Sequence, residues 1–287
     1  MRYHTPASFE DASAIAAAAD GVTRFLAGGT DVLVQLRADM VTPDDLIDIK
    51  HIAGVKEIAQ TAEGGWRIGA AVSGSEMMAH GALKADWPGV VEATDLIGST
   101  QIQTRCTLAG NLCNGSPAAD SVPAIIAAGA TVSVVGPEGA REIAAEDVPV
   151  GPGKLSLAKG EVVTAVNLPA RGDNAGDAYL RFIPRTEMDI AVVGCAVSLT
   201  RDGDTITAAR VALGAVAPTA LLVEDAAAAL IGSTLDDAAL DALAAAASAA
   251  CNPIDDKRGT IKFRTHVAGV LARRAAKIAY DRAGGEA

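Results

Sequence analysis

Two short stretches of this chain combine residue types that could hold an anion. The first is Leu26-Ala27-Gly28-Gly29-Thr30-Asp31. Two glycines closing an apolar run let the backbone approach a ligand closely, and a helix start just beyond them offers N–H groups without partners. The spacing predicts a strand over residues 23–26 and a helix through Val32, Leu33, Leu36 and Arg37, capped by Thr30 or Asp31. An ordinary tight turn would use the same two glycines. No G-x-G-x-x-G follows the strand, which argues against a Rossmann fold.

The second stretch is Thr107-Leu108-Ala109-Gly110-Asn111, continuing through Ser116-Pro117-Ala118-Ala119 to Asp120. Small residues again permit N–H contacts to a phosphate. Asp120 would repel a phosphate and suits a sugar hydroxyl instead, or it caps a helix expected over residues 121–128. Other chemistries are not indicated: there is no Ser-His-Asp pattern, H-E-x-x-H, P-loop or EF-hand. Cys106, Cys113, Cys195 and Cys251 form no C-x-x-C pair and no cluster with the four histidines, so they read as small buried hydrophobes rather than metal ligands.

Elements that could position these stretches follow from the pattern. Residues 46–49 read as a strand, which with 23–26 makes a small parallel β-α-β unit. Beyond His51 come a strand at 66–70, capping-box spacing at Ser73 and Glu76, and helices near 75–81, 84–97 and 117–129. Strands at 131–135 and 161–168 bracket a turn at Gly136-Pro137-Glu138-Gly139. After a polar linker at 171–176, strands are expected at 178–183, 191–199 and 205–216, with a hairpin at Asp202-Gly203. Ala-rich helices over about 219–231 and 235–250 follow, then a last helix carrying Val267, Val270, Leu271 and Ile278.

Half of the 287 residues are hydrophobic but only 3% aromatic, so the core must rest on Val, Ile, Leu and Ala. A formal charge of −11 argues against nucleic acid or anionic membranes as partners. A phosphate would have to be held locally, by amides or a few placed cations. No apolar run approaches the ~20 residues of a membrane span. Residues 1–6 lack a leader pattern, and a cytoplasmic location is expected.

In this order and separation, the two stretches resemble the signatures of the FAD-binding medium subunit of the molybdenum hydroxylases, the xanthine dehydrogenase and aerobic carbon monoxide dehydrogenase family. Its A-G-G-[HT]-[SD] loop is matched by Ala27 to Asp31, and its T-[IL]-G-G-N loop by Thr107 to Asn111. Similarity continues through Ser116 to Ala124, Gly136 to Gly139, Gly160 to Val163, and Arg264-Thr265. The resemblance implies an α+β chain with the vanillyl-alcohol-oxidase (PCMH) type of FAD-binding fold and a C-terminal antiparallel three-stranded sheet with helices. It implies FAD-binding subdomains over 1–55 and 56–172 and a carbon monoxide dehydrogenase flavoprotein-like domain over 177–287.

Site roles carried over from the family are expectations of the same kind. Ala27, Gly28, Gly29, Thr30 and Asp31, with Thr107, Ala109, Gly110 and Asn111, would cradle the pyrophosphate, and Ser116 belongs to the same small-residue run. The two glycines would matter through backbone access, so a valine at either would stand where the pyrophosphate approaches. Asp120 matches an FAD-contacting acid, Ile97 and Val163 apolar contacts, and Arg181 a cation near the cofactor. Asp189 and Ile190 fall in a segment lying against the flavin ring. Core packing for Ile97 and Val163, ion pairing for Arg181 and strand packing for Ile190 are the alternatives. Ala109 departs from the family's glycine, which moves any need for a positive φ to Gly110.

The family's division of labour would give this chain FAD and no catalytic side chain. A large partner would hold a molybdenum cofactor and a small partner two 2Fe–2S clusters, assembled as a dimer of heterotrimers. Substrate is left open among carbon monoxide, aldehydes, purines and N-heterocyclic aromatics, and so is the electron acceptor. The competing readings are a stand-alone FAD oxidase or dehydrogenase and a non-catalytic nucleotide-binding scaffold.

Overall fold

A computed structural model describes residues 1–284; residues 285–287, the end of the expected C-terminal domain, lie outside the described residues. The chain opens with β1 (Arg2–His4), α1 (Phe9–Ala18), β2 (Thr23–Leu26), α2 (Val32–Arg37) and β3 (Asp45–Asp48). The expected parallel unit is present, with β2 pairing β3, but β1 adds to its other side, giving the order β1-β3-β2. Every residue of the central strand β3 is buried, as a parallel strand covered on both faces should be. Side chains recruit β1 where apolar pattern does not. Arg2 donates to both carboxylate oxygens of Asp45 at 2.7 Å, and Tyr3 Oη donates to Asp48 at 2.5 Å.

A wholly antiparallel sheet follows. Its order is β4 (Ile58–Gln60), β5 (Trp66–Gly69), β10 (Val162–Leu168), β6 (Thr131–Gly136), β7 (Gly139–Ala144), with a two-stranded hairpin of β8 (Pro149–Gly151) and β9 (Lys154–Leu155) beside it. Between β5 and β6 run six helices: α3 (Gly74–Ala79), α4 (Gly81–Asp86), α5 (Pro88–Asp95), α6 (Thr100–Gln103), α7 (Leu108–Cys113) and α8 (Ser121–Ala127). The capping box forms as its spacing predicts, Ser73 bonding the Glu76 amide while Glu76 bonds that of Ser73. One apolar core runs through both sheets, from Ala12 and Ile47 to Val166 and Leu168.

The C-terminal sheet is antiparallel with four strands rather than three: β11 (Ala175–Phe182), β12 (Val193–Asp202), β13 (Thr205–Gly214) and β14 (Leu221–Leu222). The fourth falls where an Ala-rich helix was expected; α9 starts only at Glu224 and ends at Ala228. The helices α10 (Asp237–Ala249) and α11 (Ile261–Ala283) complete a second core. Small residues serve this core by allowing close approach. At Gly176 a Cβ would lie 2.0 Å from the carbonyl oxygen of Ala279 on α11. Among the described residues, no helix is long and apolar enough to cross a membrane.

Candidate functional site

A cavity of about 380 Å³ lies where the β2–α2 loop meets the start of α7. It gathers Ala27, Gly28, Gly29, Thr30 and Asp31 from one side and Thr107, Ala109, Gly110 and Asn111 from the other, with Ile97 and Val163. Ser116, Asp120, Arg181, Asp189 and Ile190 are not in its lining. The lining also includes Asn114, from the second stretch, and Arg24 and Gln35, which pattern reading passed over as strand and helix residues. Gln35 Nε2 donates to Asn114 Oδ1 at 3.1 Å, tying α2 to α7.

The two glycines have different reasons. Gly29 adopts φ +82°, the left-handed region where a side chain is strained. Gly28 does not, yet a Cβ there would sit 1.8 Å from the carbonyl oxygen of Arg105. Arg105 Nε returns a hydrogen bond to the Gly28 carbonyl at 3.2 Å. Gly28 is therefore where two loops touch, and its missing side chain faces protein, which corrects the expectation that it faces an anion.

Ala109 costs nothing here. It and Gly110 lie within α7, and neither has a positive φ. Glycine at 110 is explained by Thr107, whose Oγ1 caps the helix by accepting from the Gly110 amide at 2.9 Å and would be 2.8 Å from a Cβ. Asn111 turns its Oδ1 into the protein, accepting from the amide (3.2 Å) and hydroxyl (2.7 Å) of Ser121. Its NH₂ group makes no bond to the described residues. The amides of Thr30, Asp31, Leu108 and Ala109 likewise donate to no described protein acceptor. Asp31 begins α2 without capping it, and burial pushes its carboxyl upward.

Asp120 stands at the start of α8 but does not cap it. Its Oδ2 accepts from Arg181 Nη1 at 2.8 Å and its Oδ1 from Tyr179 Oη at 3.3 Å. This pair, with side chains 10% and 6% exposed, joins α8 to β11. Burial pushes the Asp120 carboxyl from 3.8 up to about 6, against the pull of Arg181. A raised folded-state value means that protonation favours the fold. The contribution is present below 3.8 and lost as pH rises through about 6. Asp120→Asn should therefore flatten the pH dependence of stability between these values by on the order of 2 kcal/mol. Denaturant titrations of cofactor-free wild type and variant at several pH values check this; parallel profiles would contradict it.

The other residues outside the lining are also engaged. Ser116 Oγ accepts from the Ala118 amide at 3.3 Å. Asp189 is held by Arg258 at 3.1 Å and Arg185 at 3.2 Å, which keep its carboxyl below the usual range. Ile190 beside it is 52% exposed. Their loop reaches the cavity's edge through the Met188 amide, which donates to the Gly98 carbonyl next to Ile97.

A small parallel sheet and a larger antiparallel one, facing each other through a double-glycine loop and a Thr-capped helix start, form the vanillyl-alcohol-oxidase type of FAD-binding fold. Residues 1–171 match the family described as the FAD binding domain in molybdopterin dehydrogenase, and residues 178–279 the CO dehydrogenase flavoprotein C-terminal domain. The chain belongs to this family of oxidoreductase flavoprotein subunits. It is 34% identical to the carbon monoxide dehydrogenase medium chain of Afipia carboxidovorans, over 98% of this chain and 97% of that one. It is 28% identical to the xanthine dehydrogenase FAD-binding subunit of Escherichia coli O157:H7, over 99% and 97%. Among solved structures, reconstituted CO dehydrogenase from Oligotropha carboxidovorans aligns at a TM-score of 0.93 with 34% identity, covering 98% of both chains.

Proposed function

We propose that this chain binds one FAD non-covalently in the cavity and serves as the electron outlet of a molybdenum hydroxylase. The observation that carries the reading is the pairing of the two loops, which brings Thr30, Asp31 and Ala109, whose amides have no partner among the described residues, to the lining of one space. These donors fit a diphosphate in a protein whose net charge would otherwise repel it. Ala27 and Ala109 bring only small side chains to that space, while the Asn111 NH₂ adds a side-chain donor. Ile97 and Val163 supply apolar walls. Asp120, Arg181 and Ser116 act one layer out, fixing α8 and β11, and Asp189 anchors the loop that brings Ile190 toward the cavity's edge. We divide the chain accordingly into units over 1–55, 56–172 and 177–287, the first two sharing a core.

Bound FAD supplies redox chemistry that can accept electrons from a one-electron carrier and deliver them to another acceptor. The residues of this chain bind and orient it. The lining contains no His, Tyr or Lys, so no base for a substrate of its own is present beyond Asp31. Its four cysteines are dispersed along the chain and form no C-x-x-C pair. Electrons would therefore arrive from 2Fe–2S clusters on a small partner, after oxidation of a substrate at the molybdenum cofactor of a large one. A dimer of such heterotrimers, in the cytoplasm, is the assembly we propose. Acid precipitation of the purified chain should leave about one equivalent of FAD in the supernatant. Flavin retained in the pellet would contradict non-covalent binding, and a chain that takes up no flavin would favour the scaffold reading.

A further inference from the structure

The cavity is lined by one cation, Arg24, and one acid, Asp31. In a chain of net charge −11, a lone arginine at the site meant for a diphosphate calls for an explanation. Arg24 lies on β2, the edge strand of the first sheet, so its strand borders the cavity instead of another strand. Its guanidinium is exposed and makes one bond to the described residues, from Nη1 to the Thr23 carbonyl at 3.0 Å. No carboxylate among those residues lies within salt-bridge distance of it; Arg37, Arg67, Arg105 and Arg274 share that condition, but of these five Arg24 is the one in the cavity lining. Packing does not explain the side chain either, since it is not part of a core.

We infer that Arg24 binds the diphosphate bridge of the dinucleotide and gives the site its preference for FAD over riboflavin. The inference rests on the FAD reading above. Backbone amides position an anion but carry only partial charges, and a guanidinium adds a full charge and a planar fork that matches phosphate oxygens. Riboflavin has the same ring and no phosphate, so a residue acting on the bridge alone leaves its binding untouched.

The test is flavin titration of the cofactor-free full chain, following quenching of flavin fluorescence, with FAD and riboflavin as separate probes. Arg24→Gln should weaken FAD by about tenfold or more, leave riboflavin unchanged, and reduce the salt dependence of FAD binding. Arg24→Lys, which restores the charge without the fork, should recover part of the loss. Because the side chain is exposed, both variants should keep the wild-type circular dichroism and melting temperature. Equal FAD affinity and salt dependence in wild type and Arg24→Gln would overturn the inference while leaving the FAD reading intact. Parallel weakening of FAD and riboflavin would also overturn it, by showing that the residue acts through the shape of the cavity. A wild-type chain that binds no flavin would overturn the FAD reading, and this inference with it.

Discussion

Gly28→Ala is expected to abolish flavin binding and to destabilise the chain even before any cofactor is added. The new methyl group would lie 1.8 Å from the Arg105 carbonyl oxygen, 2.7 Å from its carbon and 3.2 Å from Cys106 Cα. All three atoms are backbone, and none can move away by changing a rotamer. The β2–α2 loop and the segment before α7 must separate, and with them the two halves of the cavity. Overpacking against backbone places the loss at about 3 kcal/mol. Gly29→Ala should be milder. Its Cβ meets side-chain ends of Leu26 and Leu33 at 2.9 and 3.0 Å, which can shift, and its positive φ adds about 1 kcal/mol of strain. Gly172→Ala, with nothing within 4 Å of its Cβ, serves as the neutral control. Thermal unfolding of the three cofactor-free variants, with FAD titration, checks the order. A Gly28→Ala chain that melts with the wild type and binds FAD normally would show that the two loops do not meet as described.

That pair of glycines also shows what a sequence can and cannot disclose. A double glycine between strand and helix is visible as a place where backbone must come close to something. Whether the neighbour is a ligand or Arg105, 77 residues away, depends on the fold. Local signals did well for the same reason that distant ones did not. The Ser73 and Glu76 box and the Asp202-Gly203 hairpin are settled by residues within a few positions of one another, and the β2-α2-β3 unit by consecutive elements. Strand β1 is held by Asp45 and Asp48, more than 40 residues on, and its own three residues carry no strand pattern. Strand β14 is two residues long and exists because Ala212 and Leu213 offer an edge.

The same distinction runs through the site. Thr107 capping a helix is legible from its neighbours, while Asp120 looks locally like a cap and is claimed instead by Arg181 and Tyr179 from β11. Arg264 stands out in sequence only by resemblance. Its buried guanidinium donates to the carbonyls of Val192 at 2.7 Å and Ala215 at 3.2 Å and pairs with Asp256, so it fastens the start of α11 to the sheet. Arg24 was hidden because one charged residue on an edge strand is ordinary; it becomes notable once the cavity's other lining residues are known.

The second large effect concerns the assembled enzyme. Removing this chain from the proposed complex should stop turnover with external acceptors, while the isolated chain should oxidise no substrate at all. In the proposed assembly hydroxylation takes place at a partner's molybdenum centre and electrons enter from a partner's cluster, and the four dispersed cysteines of this chain form no C-x-x-C pair that would suit a cluster of its own. The most direct test is reconstitution. The chain, loaded with FAD, is mixed with a complex lacking it, and flavin absorbance is followed after adding carbon monoxide, an aldehyde, a purine or an N-heterocycle in turn. One of these should reduce the flavin only when the complex is present. Reduction of the flavin by substrate in this chain alone would contradict it and make the protein a flavoenzyme in its own right.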